Sequence, residues 1–258
     1  MTHRLSAEHL GVTYDKAPVL SGLSLEVPNH KVTVIVGPNA CGKSTLLRSL
    51  ARLQSPTSGH VNLDGKAIHR QNSRSVAKRL AILPQAPIVP EGLQVQDLVT
   101  RGRTPHQSAI RQWSQGDAEA VENALSVTNL SRHAQRPLSA LSGGQRQRAW
   151  IAMTLAQDTD ILLLDEPTTY LDLPHQIELL KMVKSLNQDT GRTIVMVLHD
   201  INLAARFADH IVALKDGVIV AQGSAADVIT PSGMRQIFDL ECMVIDDPLH
   251  HTPHVIPS

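Results

Sequence analysis

Gly37-Pro38-Asn39-Ala40-Cys41-Gly42-Lys43-Ser44 sets two glycines, a lysine and a hydroxyl at the spacing G-x-x-x-x-G-K-[ST]. Glycines there let backbone N–H groups turn inward around phosphate oxygens, and a helix opening at that point adds partial positive charge. Lys43 supplies a point charge for the β- and γ-phosphates, Ser44 a hydroxyl for Mg²⁺, and Thr45 a further hydroxyl. Farther on, the apolar run Ile161-Leu-Leu-Leu164 ends in Asp165-Glu166. A buried strand ending in acids presents them at the carboxyl edge of a sheet, where α/β proteins bind ligands. Asp165 suits the organisation of Mg²⁺ and its water. Glu166 suits a general base that polarises an attacking water, a role worth roughly 10²–10⁴-fold in rate. Taken alone, these residues imply hydrolysis of ATP or GTP at a P-loop.

Such residues need elements to hold them. Val32-Thr-Val-Ile-Val36 is nearly continuous in apolar character and reads as a strand covered on both faces, delivering the chain into the Gly37 turn. Val19, Leu23, Leu25 and Val27 are mostly separated by small or polar residues, the pattern of a half-buried strand. A helical pattern through Leu46, Leu47 and Leu50 follows the glycine turn and stops at Pro56 and Gly59, before a short strand near Val61–Leu63. Residues 86–156 carry helical periods and no strand candidates, so they form an inserted helical lobe. Residues 1–85 and 157–258 form the nucleotide-binding core. Strand and helix patterns alternate after 157: Ile161–Leu164, 175–189, Thr193–Leu198, 201–207 and Ile211–Leu214. That alternation predicts a parallel sheet with crossover helices.

Composition narrows the setting. Lys and Arg total 24 and Asp and Glu total 24, so no basic excess favours nucleic acid, although Arg146 and Arg148 form a local basic pair suited to phosphate or a partner. No apolar stretch reaches the roughly 18 residues that a membrane-spanning helix needs. Met-Thr-His-Arg carries no apolar signal core, and the two cysteines, Cys41 and Cys242, give no disulfide framework. The cytoplasm is the expected compartment. With aromatics at 2%, the core must be aliphatic.

Leu141-Ser142-Gly143-Gly144-Gln145 precedes a helical run, Arg146–Ala156, and builds a second anion site on the helical lobe. Here the chain resembles the ABC ATPase family, whose signature is LSGGQ. The resemblance implies a P-loop NTPase (RecA-like) α/β core with an N-terminal antiparallel β-subdomain and an inserted α-helical subdomain. It implies ATP and Mg²⁺ as cofactors, and a head-to-tail dimer with a second copy or a homologous ATPase. In that dimer the signature would cover the γ-phosphate of the opposite subunit's ATP. Further positions match in order: Tyr14 as the aromatic that stacks on adenine, and Gln85 as the glutamine that senses Mg²⁺ and the membrane partner. Leu171-Asp172 matches the loop that crosses the dimer interface, and His199 the switch histidine at the γ-phosphate. Ser44, Gln85 and Asp165 would be the Mg²⁺ residues. Lys43, Asp165, Glu166 and His199 are all intact, which favours hydrolysis over mere binding.

Gln145–Asp158, Pro167–His175 and the end Asp247–Ser258 are similar to ATPases of the ferric-siderophore importer branch. The resemblance implies a peripheral subunit on the cytoplasmic face of the membrane, an integral permease, and a periplasmic or lipid-anchored substrate-binding protein, with no nucleic acid partner. Heme or vitamin B12 import is the alternative cargo, and a soluble non-transport ABC ATPase the alternative class. The segment 86–110, with Pro87, Pro90, Gly92, Leu93 and Leu98, is expected to receive the permease. His250, His251 and His254 read as a solvated tail. Cys41, at a helix N-terminus that would lower its pKa, is expected to be a reactive thiol.

Overall fold

The apolar run Val32–Val36 becomes β3, buried at every position. This computed structural model describes residues 3–15, 17–85, 92–107, 113–169 and 171–258. The chain divides into two units, 1–71 with 191–258, and 72–190.

The first unit opens with β1 (Leu5–Tyr14) and β2 (Ala17–Val27), paired antiparallel. Leu23, Leu25 and Val27 alternate inward as their spacing predicts, but Val19 is only half-buried. Register shifts between Leu10 and Val12 of β1 change the phase, so Leu20 takes the buried place instead. After β3 come α1 (Lys43–Leu50), β4 (Ser58–Leu63) and the short β5 (Lys66–Ala67). The order β2-β1-β4-β5 makes an antiparallel sheet, with Leu5, Leu10, Leu25 and Leu63 almost wholly buried.

In the second unit, β6 (Leu80–Leu83) runs parallel to β7 (Ile161–Leu164), both aliphatic and almost wholly buried. Around them lie α2 (Ser73–Ala77), α3 (Val95–Arg101), α4 (Gln115–Val127), α5 (Gly143–Ala156) and α6 (Leu173–Thr190). Helices α3 and α4 pack on α5. A buried ion pair ties them together: Arg103 Nε donates to Asp117 Oδ1 at 2.8 Å, and Arg103 Nη1 donates to the Ala156 carbonyl at 2.7 Å. Burial alone would push the Asp117 carboxyl up, but hydrogen bonds from Ser114 and Arg103 outweigh it and hold the pKa at about 2.

The first unit resumes with β8 (Thr193–Val197) and β9 (His210–Lys215), which flank β3 in parallel, and β10 (Val218–Gly223), antiparallel to β9. Between and after these strands run α7 (Ile201–Phe207), α8 (Ala225–Val228) and α9 (Pro231–Phe238). The C-terminal segment forms a hairpin, β11 (Cys242–Asp246) with β12 (Pro253–Pro257); His250 and His251 are exposed between the strands as expected, and His254 is half-buried. Asn202 on α7 holds the hairpin from both sides: the Val255 N–H donates to Asn202 Oδ1 at 2.7 Å, and Asn202 Nδ2 donates to the Val255 carbonyl at 3.2 Å. His254 therefore belongs to a strand.

Candidate functional site

In the first unit, β3 feeds the Gly37–Ser44 loop directly into α1. Gly37 has φ +149°, and a Cβ there would meet the Leu214 carbonyl at 2.1 Å. Gly42 has φ +104°, and its Cβ would meet Leu20 Cδ2 at 2.7 Å. Both positions thus exclude a side chain on space as well as on backbone conformation. The loop is tied to its surroundings by the Gly217 N–H, which donates to the Cys41 carbonyl at 3.2 Å, while the Ser21 N–H donates to Gly217 O at 3.1 Å. Lys43 is only 5% exposed. Its ammonium donates to the carbonyls of Gly37 at 2.9 Å and Pro38 at 2.7 Å, so the loop is wound around its own cation. Asn39 and Ala40 are exposed at the rim, with Ser44 and Thr45 half-buried in the first turn of α1.

Cys41 departs from expectation. It is buried, and burial, the largest effect, pushes its thiol up despite the charge and hydrogen bond of Lys43. A helix N-terminus does not make this cysteine a ready thiolate.

Tyr14 closes β1, 40% exposed, with its hydroxyl donating to Gln54 Oε1 at 2.9 Å, which leaves much of the ring accessible. His199 lies just beyond β8, exposed, immediately before Asp200, whose carboxylate caps α7 through the N–H groups of Asn202 and Leu203.

In the second unit, β7 delivers Asp165 (1% exposed) and Glu166 (8% exposed) together. Glu166 adopts φ 50°, the left-handed region, so the chain turns sharply at the acid. The turn closes through the Thr169 N–H donating to Glu166 O at 3.2 Å, and Gln147 Nε2 on α5 donates to the Pro167 carbonyl at 2.9 Å. Gln85 Nε2 donates to Glu166 Oε2 at 2.5 Å, so the structure brings these two sequence-predicted residues into direct contact. A carboxylate only accepts, which fixes the amide with its nitrogen toward Glu166 and its oxygen turned away.

Leu141–Gln145 opens α5. Ser142 is the N-cap: its hydroxyl accepts the Gln145 N–H at 3.2 Å, while Gln145 Oε1 accepts the Ser142 N–H at 3.1 Å. That reciprocal pair is a capping box, read in the sequence only as an anion site. Leu141 is buried and Gly143 lies against open space. Arg146 Nη2 donates to the Leu141 carbonyl at 3.3 Å, and Arg148 pairs with Glu178. Gly144 faces the start of α6 and the loop before it: a Cβ there would meet His175 Cδ2 at 3.3 Å and Leu171 Cδ2 at 3.6 Å. His175 in turn bonds Asp172 through its ring, which lowers the Asp172 pKa.

Sequence reasoning missed Thr169, Gln147 and His175. Each acts on backbone or on a residue already singled out, and no spacing rule marks such contacts.

In the expected permease segment, Pro87 and Pro90 lie outside the described residues. Gly92 is exposed and Leu93 half-buried, whereas Leu98 is 1% exposed inside α3 and serves as core, not as a docking side chain.

The residues fit a nucleoside triphosphate and its cation. The loop packs too closely on Leu214 and Leu20 to admit a Cβ at Gly37 or Gly42, which leaves bare backbone there, and it holds the buried Lys43 amine against the Gly37 and Pro38 carbonyls. In the second unit Gln85 and Asp165 carry amide and carboxylate oxygens, and in the first Ser44 carries a hydroxyl, each by itself a hard donor of the kind Mg²⁺ takes.

Comparisons with known proteins point to an ATP-binding subunit. A protein-family profile described as ABC transporter matches residues 20–169. The chain is 52% identical over 257 residues to the petrobactin import ATP-binding protein FpuD of Bacillus anthracis, covering 100% of this chain and 94% of that protein. It is 50% identical over 253 residues to the achromobactin transport ATP-binding protein CbrD of Dickeya dadantii, covering 98% and 94%. Among solved structures, an ABC transporter in an inward-facing conformation matches with TM-score 0.85 and 28% identity over 100% of this chain and 98% of that one. The dimeric structure of MJ0796, a bacterial ABC transporter cassette, matches with TM-score 0.75 and 28% identity over 85% and 98%.

Proposed function

Because this chain belongs to the ABC transporter family, we propose that it is the ATP-hydrolysing motor of an importer that carries ferric siderophores across the cytoplasmic membrane. The observation that carries the motor reading is the glycine cradle wound around the buried ammonium of Lys43. The cargo follows from half-identity, along the whole chain, to siderophore import ATPases.

Tyr14 stacks on adenine, and the loop Gly37–Thr45 donates its N–H groups and the Lys43 charge to the phosphates. Ser44, Asp165 and Gln85 would hold Mg²⁺, which when bound neutralises charge developing on the β- and γ-phosphate oxygens. Glu166 takes a proton from the attacking water as its oxygen bonds to the γ-phosphorus and the β–γ bridging bond breaks, giving ADP and phosphate. His199 contacts the γ-phosphate oxygens. Leu141, Ser142, Gly143, Gly144 and Gln145 cover the ATP of a second copy in a head-to-tail dimer, with Leu171 and Asp172 crossing that interface. Residues 86–156 act as one helical lobe that meets an integral permease on the cytoplasmic face, and a periplasmic or lipid-anchored binding protein supplies the cargo outside.

The test is uptake of radiolabelled ferric siderophores by cells lacking the gene, complemented with wild type or Glu166→Gln. Loss of uptake that only wild type restores supports motor and cargo together. Unaffected uptake removes the siderophore assignment and makes heme and cobalamin the next substrates to measure.

A further inference from the structure

We propose that Thr169 is a positioning residue for hydrolysis: its hydroxyl holds the Glu166 carboxylate in the one rotation from which it can receive a proton from water. The inference rests on the reading of Glu166 as the base and goes beyond it by naming the group that aims it.

Thr169 Oγ1 donates to Glu166 Oε2 at 3.1 Å, the same oxygen that takes the Gln85 amide at 2.5 Å. Two donors converging on one oxygen fix the plane of the carboxylate and distinguish its two oxygens. A carboxylate held by one donor keeps a torsional freedom that a second, from another direction, removes. The donors come from different places: Gln85 follows β6, whereas Thr169 sits in the same tight turn as the acid.

The turn is itself braced. The Thr169 N–H closes it onto Glu166 O at 3.2 Å, Pro167 fixes one backbone angle, and Gln147 of α5 bonds the Pro167 carbonyl at 2.9 Å. Thr169 is thus rigid relative to the acid, the condition under which a hydroxyl can aim rather than follow a neighbour. Glu166 is 8% exposed, so solvent does little to replace a lost donor. Ser at this position keeps the hydroxyl, while Val keeps the shape and loses it.

The experiment compares the full chain with Thr169→Val, Thr169→Ser, Glu166→Gln and the double variant, measuring kcat and KM for ATP. Equilibrium binding of a non-hydrolysable ATP analogue and Tm are measured alongside. Thr169→Val should lower kcat about ten-fold, within the range a misplaced catalytic group costs, with KM and analogue binding unchanged. Thr169→Ser should restore the rate. Adding Thr169→Val to Glu166→Gln should cost nothing further, because Thr169 acts only through that carboxylate. If Thr169→Val fails to fold, Thr169→Ala provides a second hydroxyl-free variant. Wild-type kcat in a folded Val or Ala variant overturns the proposal, as does an equal loss in Thr169→Ser or a further loss in the double variant. Full hydrolysis by Glu166→Gln is a different result: it removes the reading of Glu166 as base.

Discussion

At Gly37 a single methyl group decides whether the phosphate cradle exists. The residue sits at φ +149°, where side chains are strained, and its Cβ would lie 2.1 Å from the Leu214 carbonyl, a backbone atom that cannot swing aside. Gly37→Ala should therefore destabilise the chain by about 2 kcal/mol or more. It should also abolish nucleotide binding, read by a lowered denaturant midpoint and by loss of fluorescent ATP-analogue binding. Wild-type binding in this variant would mean that the loop tolerates a different backbone path. The glycine was legible from its spacing, because the pattern G-x-x-x-x-G-K-[ST] encodes the backbone requirement. The environment of Cys41 was not. Its place at a helix start suggested a thiolate, but whether a helix end lowers a thiol pKa depends on how much water reaches it, and that follows from packing among residues distant in sequence.

At the scale of elements, the helices of the second unit depend on a charge that sequence periodicity did not reveal. Arg103 and Asp117 are both buried, joined at 2.8 Å, and Arg103 also satisfies the last turn of α5 through Ala156. Arg103→Met should cost about 3–5 kcal/mol, because it strands a buried carboxylate rather than merely removing a contact. The same pair sets an acid limit. The Asp117 pKa, near 2 when folded, lies below its unfolded value, so the stabilisation is full above the unfolded pKa of roughly 3.9 and fades as pH falls from there toward 2. Its size is on the order of 2 kcal/mol. Thermal unfolding between pH 6 and pH 3 should show a steeper loss in wild type than in Asp117→Asn. Parallel curves would assign the acid limit to other carboxylates.

The buried strands β3 and β7 were legible as apolar runs, and α7 coincides with the helix expected at 201–207. Helix α5 begins at Gly143, earlier than the run expected from Arg146, because Ser142 and Gln145 cap each other and draw both glycines into its first turn. Helix α2 and strand β6 went unread, being too short to express a period.

Taken whole, the chain carries its chemistry-bearing residues at the ends of elements: the last residue of β1, the positions after β3, β6, β7 and β8, and the start of α5. That distribution is why motif order identified the family while distances needed the structure. The C-terminal hairpin shows the converse. A segment containing His250, His251 and His254 looks like solvated tail because its polar residues hide the alternation, whereas pairing of β11 with β12 and the clamp of Asn202 on Val255 give it a place in the fold. Among the described residues no helix is long and apolar enough to cross a membrane.

The buried sulfur of Cys41 gives this machine a built-in stopwatch. A thiol that reacts only when the loop gapes, and only as the scarce thiolate, is consumed at a rate set by the fraction of time the cradle stands open. Alkylation should be slow, quicken with rising pH, and slow further when ATP closes the loop, all followed by mass spectrometry on the intact chain. Instant labelling at neutral pH, indifferent to ATP, would mean that the sulfur is not sealed. If the clock runs as expected, adding permease would show whether docking changes the tempo of the loop before any phosphate is released.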